Sequence, residues 1–136
     1  VRHSGRMASD EARAIELLKG TPYGRIASSR HAMPLITVAR HIVVDRSVLL
    51  RVHRGHGCHS AFDGSVVAYE ADNIGAAGGG RTDVWSVQFV GQARLVEPGA
   101  AELARFGPPA APAGTEPFVP VYLRVEPRFT TVQRLA

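Results

Sequence analysis

Residues 49–59, reading Leu-Leu-Arg-Val-His-Arg-Gly-His-Gly-Cys-His, gather two arginines, three histidines, two glycines and the only cysteine of the chain. These side chains suit anion recognition and metal ligation. If the segment leaves a strand, Leu50 and Val52 share one face, while Leu49, Arg51 and His53 share the other. Gly55 and Gly57 then let the backbone turn tightly enough to offer amides to an anion, and a short helix starting near His56 would add its positive end. Arg51 could fork onto a phosphate there, although the spacing alone favours an arginine at a solvent-facing strand end. His53, His56, Cys58 and His59 have metal-ligand chemistry, but no second cluster supplies a fourth ligand, so no metal site is predicted. One exposed histidine would suffice for haem. Cys58 reads as a small buried hydrophobe, and His31 and His41 as barrel-rim or core residues, with His41 able to share a cavity with Arg40.

The stretch from Trp85 to Arg94 alternates strictly. Trp85, Val87, Phe89 and Gly91 fall on one side, and Ser86, Gln88, Val90 and Gln92 on the other. A flat heterocycle could use that aromatic surface, and an ordinary core tryptophan fits as well. Asp72 ends an earlier apolar run, where it could pin the following loop by accepting backbone hydrogen bonds, with Glu70 facing the same way. No nucleophile, base and orienting group stand together as a hydrolase requires.

Positioning these residues requires strands. β-Branched and alternating runs predict six of them, at 24–29, 34–44, 47–53, 65–72, 84–96 and 118–134. Tight links at 29–33 and 44–47 make the first three an antiparallel meander. So many short strands imply an all-β fold with short flanking helices, closed into a barrel because a small open sheet leaves two edges unpaired. An amphipathic helix capped by Asp10 and running to Lys19 covers it, and a second short helix spans about 100–106. The loop at 74–83 carries Gly78-Gly79-Gly80, but lacks the Lys-Ser/Thr of a P-loop and the spacing of a dinucleotide fingerprint. A Pro/Ala connector occupies 108–120.

Composition narrows the classes further. With 136 residues, the chain holds a single core, and 45% hydrophobic against 21% charged residues makes it globular rather than disordered. The formal charge is +4, and Lys19 is the only lysine, a bias toward the planar fork that grips phosphate and carboxylate. The arginines are scattered singly, without a basic arm, finger spacing or paired aromatic strands, so no nucleic-acid partner is expected. One cysteine, no secretory signal and no long apolar run predict a reduced, cytoplasmic protein with no membrane partner. Residues 1–9 read as a disordered segment or tag remnant ahead of a domain at 10–136.

These blocks resemble the pyridoxamine 5'-phosphate oxidase-like family of FMN-binding split barrels. The resemblance rests on Gly24-Arg25-Ile26-Ala27, Pro34-Leu35-Ile36, the strand end at 51–55, the run 66–72 and the stretch 85–93, in order over about residues 12–134. It implies a six-stranded antiparallel split barrel, a homodimer with FMN at the subunit interface, and hydride chemistry on a small-molecule substrate. By position, Arg51 and Val52 with His56, Gly57 and His59 would hold the flavin phosphate. Ile36, Thr37 and Val38 would lie along the ring, and Trp85 and Ser86 would contribute from the interface. Relatives commonly carry Arg-Thr and Gly-Ser-Lys at the phosphate turn, where this chain has Arg51-Val52 and Gly55-His56-Gly57. The resemblance makes FMN the expected cofactor, and these departures leave the deazaflavin F420 and haem as alternatives. The expected function is a flavin-dependent oxidoreductase, or else a non-catalytic flavin- or haem-binding protein of the same fold.

Overall fold

A computed structural model describes residues 2–55, 58–76, 83–109 and 118–134. Helix α1 (Arg2–Lys19) leads into strands β1 (Tyr23–Arg30), β2 (Met33–Val44) and β3 (Ser47–His53). A five-residue helix α2 (Cys58–Phe62) precedes β4 (Val66–Asp72), then come β5 (Trp85–Val96), helix α3 (Ala100–Phe106) and β6 (Pro120–Arg134). The strands stand within a residue or two of their predicted bounds, because alternation of apolar and polar residues is a direct record of a half-buried strand.

All pairings are antiparallel, in the order β1-β2-β3-β6-β5-β4, and β1 closes the barrel onto β4 through Arg25↔Glu70, Ile26↔Tyr69 and Ala27↔Ala68. Closure pairs β1 and β4 over these three positions and so covers most of the edge that an open sheet would leave to another chain. Both expected hairpins are two-residue turns. His31 and Ala32 have φ of 52° and 63°, the pair of positive angles that a twisted hairpin demands, and Asp45 has φ of 55°.

Inward positions fill the barrel with Ile26, Leu50, Phe62, Tyr69, Phe89 and Leu123, each wholly buried. Each such side chain contributes roughly 1.5–3 kcal/mol through removal from water. Helix α1 adds Ala14, Ile15 and Leu18 to this core and packs mainly on β6. Asp10 lies inside α1 rather than capping it, since the helix continues back to Arg2. Gly24 is obligatory where β1 crosses the core: a Cβ there would collide with the Tyr69 ring and the Glu70 carbonyl. A second, smaller core lies outside the barrel wall, where Phe106 of α3 covers Ile42 and Leu49.

Candidate functional site

The end of β3 is where charge was expected to collect. Arg51 sits between Arg40 and Tyr122 on the neighbouring strands and is only 5% exposed, so it does not stand at a solvent-facing strand end. Its Nη1 donates to the Gly107 carbonyl at 2.7 Å and its Nη2 reaches the Pro108 carbonyl at 3.5 Å, with the guanidinium 5.4 Å from the centre of the Phe106 ring. Arg40 lies alongside, donating to the Arg105 carbonyl at 3.4 Å and to the Pro22 carbonyl at 3.2 Å. A helix C-terminus leaves carbonyls without intrahelical donors and carries partial negative charge, so two guanidiniums are its natural complement. The fork of Arg51 therefore grips the end of α3.

Beyond Arg51 the strand end opens outward. Val52 points into the barrel and is 1% exposed. His53 stacks on Phe118 at 5.1 Å, and its Nδ1 accepts the Val119 amide at 3.1 Å, which leaves the neutral ring its proton on Nε2. Arg54 is exposed, with its own amide bound to the Val119 carbonyl at 2.9 Å. His59, on α2, has a buried Nδ1 with no hydrogen-bond partner among the described residues. His56, Gly57 and the Gly78-Gly79-Gly80 run lie outside the described residues, as does the side chain of Cys58. Among the described residues, no group of three or more His, Cys, Asp or Glu side chains is placed to hold a metal.

On β2, Ile36 and Val38 face outward and are 67% and 60% exposed, whereas Thr37 turns inward opposite Ile26. Val38 borders a cleft of about 550 Å³ that also takes in Tyr23, Arg25, Asp72, Asp83 and Trp85. Such a volume is typical of small-molecule sites. Trp85 is 5% exposed and belongs to the core, so the ordinary core reading holds, yet it also lines this cleft. Ser86 lies outward, paired with Asp72 and Gln133. The fold thus brings Val38 and Trp85 to one cleft with Ile36 farther along β2, while Arg51, Val52 and His59 are not among the residues lining it.

The cleft has its own electrostatics. Arg25 bridges Glu70 at 3.4 Å and Asp72 at 3.6 Å. Partial burial, and then the neighbouring Asp72, push Glu70 up to about 7, while its hydrogen bond with Glu70 holds Asp72 below the usual carboxylate range. The pair therefore shares one proton near neutral pH. Asp72 also accepts the Ile74 amide at 3.0 Å, as its place after the strand suggested. Sequence reasoning missed Asn73, whose Oδ1 accepts the Trp85 amide at 2.8 Å and whose Nδ2 donates to the Asp83 carbonyl at 2.7 Å. An Asn following a strand end was the available signal.

His41 shares no cavity with Arg40, because adjacent strand positions face opposite sides. Buried at 2% exposure, it sends Nε2–H to the Leu18 carbonyl at 2.9 Å and receives the Tyr69 hydroxyl on Nδ1 at 2.5 Å. Burial lowers its pKa to about 4 and raises that of Tyr69, so both are neutral core groups.

A closed six-stranded antiparallel barrel with short flanking helices is the architecture of the split-barrel class. The pyridoxamine 5'-phosphate oxidase family model matches residues 10–134, and the chain belongs to this family of FMN-binding split barrels. An uncharacterised protein of Mycobacterium tuberculosis is 36% identical over 92 residues, covering 64% of this chain and 59% of the relative, so the chain spans about three fifths of that protein. A structure described as the FAD binding protein from Mycobacterium smegmatis superposes with a TM-score of 0.68 at 28% identity, covering 92% of this chain and 96% of that one. The FAD and heme binding protein from the same organism shares the fold, with a TM-score of 0.64 at 14% identity, covering 90% of this chain and 70% of that one. No helix among the described residues is long and apolar enough to cross a membrane.

Proposed function

We propose that the protein is a flavin-dependent oxidoreductase acting as a homodimer, with FMN laid on the outer face of β2 and a small molecule as its substrate. The observation that carries this reading is the exposure of Ile36 and Val38, two aliphatic side chains left open on the outer face of β2, with Val38 bordering the Trp85 cleft. Apolar surface in water costs about 25 cal/mol per Å², a cost that a flat heterocycle laid across it removes. Arg54 and His59 supply donors for the flavin phosphate, with His56 and Gly57 between them in sequence and the charge of Arg51 close by on β3. Bound flavin supplies hydride transfer, so the chain needs no nucleophile of its own. The Glu70–Asp72 pair holds a proton beside the cleft, and Arg25 and Asn73 fix the walls around it. The FAD-binding relative at 28% identity favours a flavin over haem.

The second copy is assigned to a row of outward side chains. Ile36, Ala27, Ala68, Val90 and Phe129 are directly paired neighbours across β2, β1, β4, β5 and β6, and Phe129 is 63% exposed. The members on adjacent strands β4, β5 and β6, Ala68, Val90 and Phe129, suit a self-complementary two-fold interface.

Titration of the purified chain with FMN, F420 and haemin tests the cofactor. FMN is expected to bind in the micromolar range or tighter, about tenfold or more weakly in Arg54→Ala, His59→Ala and Val38→Glu. Preference for F420 or haemin would overturn the FMN assignment, and no binding of any of the three would overturn the redox reading. A bound flavin that dithionite reduces, but that no nicotinamide or small-molecule donor reduces, would identify a carrier instead of an enzyme.

A further inference from the structure

Three arginines meet on the outer wall of β5 and β6. Arg94 and Arg124 are direct cross-strand partners, and Arg128 lines the same concavity of about 190 Å³, together with Gln92, Val96 and Glu126. Like charges placed directly opposite on a sheet are destabilising, and one carboxylate cannot neutralise three guanidiniums. Nor does Glu126 pair with them: among the described residues, none of the three arginines makes an ion pair within 4.0 Å. The Nε of Arg124 is buried and lacks any hydrogen-bond partner among those residues, and a buried unpaired donor on a charged group is costly.

The backbone is arranged around this cluster. Pairing shifts between Val90↔Phe129 and Gly91↔Pro127, so Arg128 is the extra residue of a β-bulge. Bulges re-aim a side chain at the cost of ladder bonds. Gly91 makes this one feasible, since a Cβ there would collide with the Glu126 carbonyl. Gln92 is held by donating from Nε2 to the Gly64 carbonyl at 3.0 Å, and its Oε1 receives Arg94 Nη2 at 3.1 Å, which orients that guanidinium.

We propose that this concavity binds the phosphoryl group of a mono- or diphosphate-bearing small molecule, with Arg94 and Arg124 forking onto it from facing strands and Arg128 closing the bulge side. The volume admits the phosphoryl end of such a ligand and leaves its organic part outside. An anion there turns the repulsion between Arg94 and Arg124 into two charge-assisted pairs. The assignment does not rest on the flavin reading, because it uses none of the residues on β2 or in the turn after β3.

The test follows arginine Nε–H signals by NMR in the full chain, with inorganic phosphate and pyrophosphate as probes and ionic strength held constant with sodium chloride. The Arg94 and Arg124 signals are expected to move saturably, with an apparent Kd of about 1 mM or tighter for pyrophosphate, while exposed Arg13 and Arg46 stay in place. In Arg94→Gln, binding is expected to weaken by about tenfold. At low ionic strength without ligand, this variant is expected to be at least as stable as the parent chain, and to lose the stabilisation that pyrophosphate gives the parent. No saturable movement at Arg94 and Arg124, movement matched by Arg13 and Arg46, or equal binding by Arg94→Gln would each overturn the proposal.

Discussion

His41, inside the barrel, and Glu70, on its outer face, respond to pH in opposite directions. His41 titrates at about 4 instead of 6.5, so the folded chain refuses a proton that the unfolded chain accepts. Stability from this group is present above the unfolded value and is lost as pH falls from 6.5 through 4, a loss of order 3 kcal/mol. His41→Gln can still donate to the Leu18 carbonyl and accept the Tyr69 hydroxyl. We expect this variant to flatten the acid limb of a denaturant-midpoint profile across that window; an unchanged limb would remove His41 as its cause. Glu70 titrates at about 7 instead of 4.5, so its contribution is full below 4.5 and is lost as pH rises through 7. Glu70→Gln, which fixes the protonated form, is therefore expected to gain on the parent chain between about pH 5 and pH 8. Solvent screening limits that gain to about 1 kcal/mol. A constant offset at all pH values would show that Glu70 does not titrate in this range.

At the scale of elements, α3 is held by arginines from the barrel wall. Arg51→Met keeps the aliphatic stem but loses the bonds to Gly107 and Pro108, and we expect a loss of about 2 kcal/mol with faster amide exchange over 103–107. Unchanged exchange there would mean that packing of Phe106 alone seats the helix. This contact marks the limit of what the sequence discloses. The strands and both hairpins were legible, because period-two alternation and turn residues are local signals, and the outward setting of Arg51 followed from Leu50 and Val52 pointing inward. What covers Arg51 was not legible, since Gly107 lies 56 residues away and nothing local to β3 announces it. The same holds for Arg94 and Arg124, each unremarkable in its own strand and conspicuous only once β5 and β6 are in register. Val38 and Trp85 were singled out separately, and only barrel closure brings them to one cleft.

On the scale of the whole molecule, the outer surface of the described residues includes the apolar row that ends in Val90 and Phe129, the cationic end of β3 and the arginine cluster across β5 and β6. If the row seats a second copy, Val90→Glu combined with Phe129→Glu places four carboxylates at a two-fold interface and is expected to yield a monomer by sedimentation velocity, with the parent chain a dimer. A monomeric parent chain would contradict the assignment. Whether a flavin lies on the outer face of β2 is decided by a crystal structure of the chain with FMN. Density for the ring is expected against Ile36 and Val38, with the phosphate within hydrogen-bonding distance of Arg54 or His59. A flavin seated on any other face of the barrel, or crystals grown with saturating FMN that contain none, would contradict that placement.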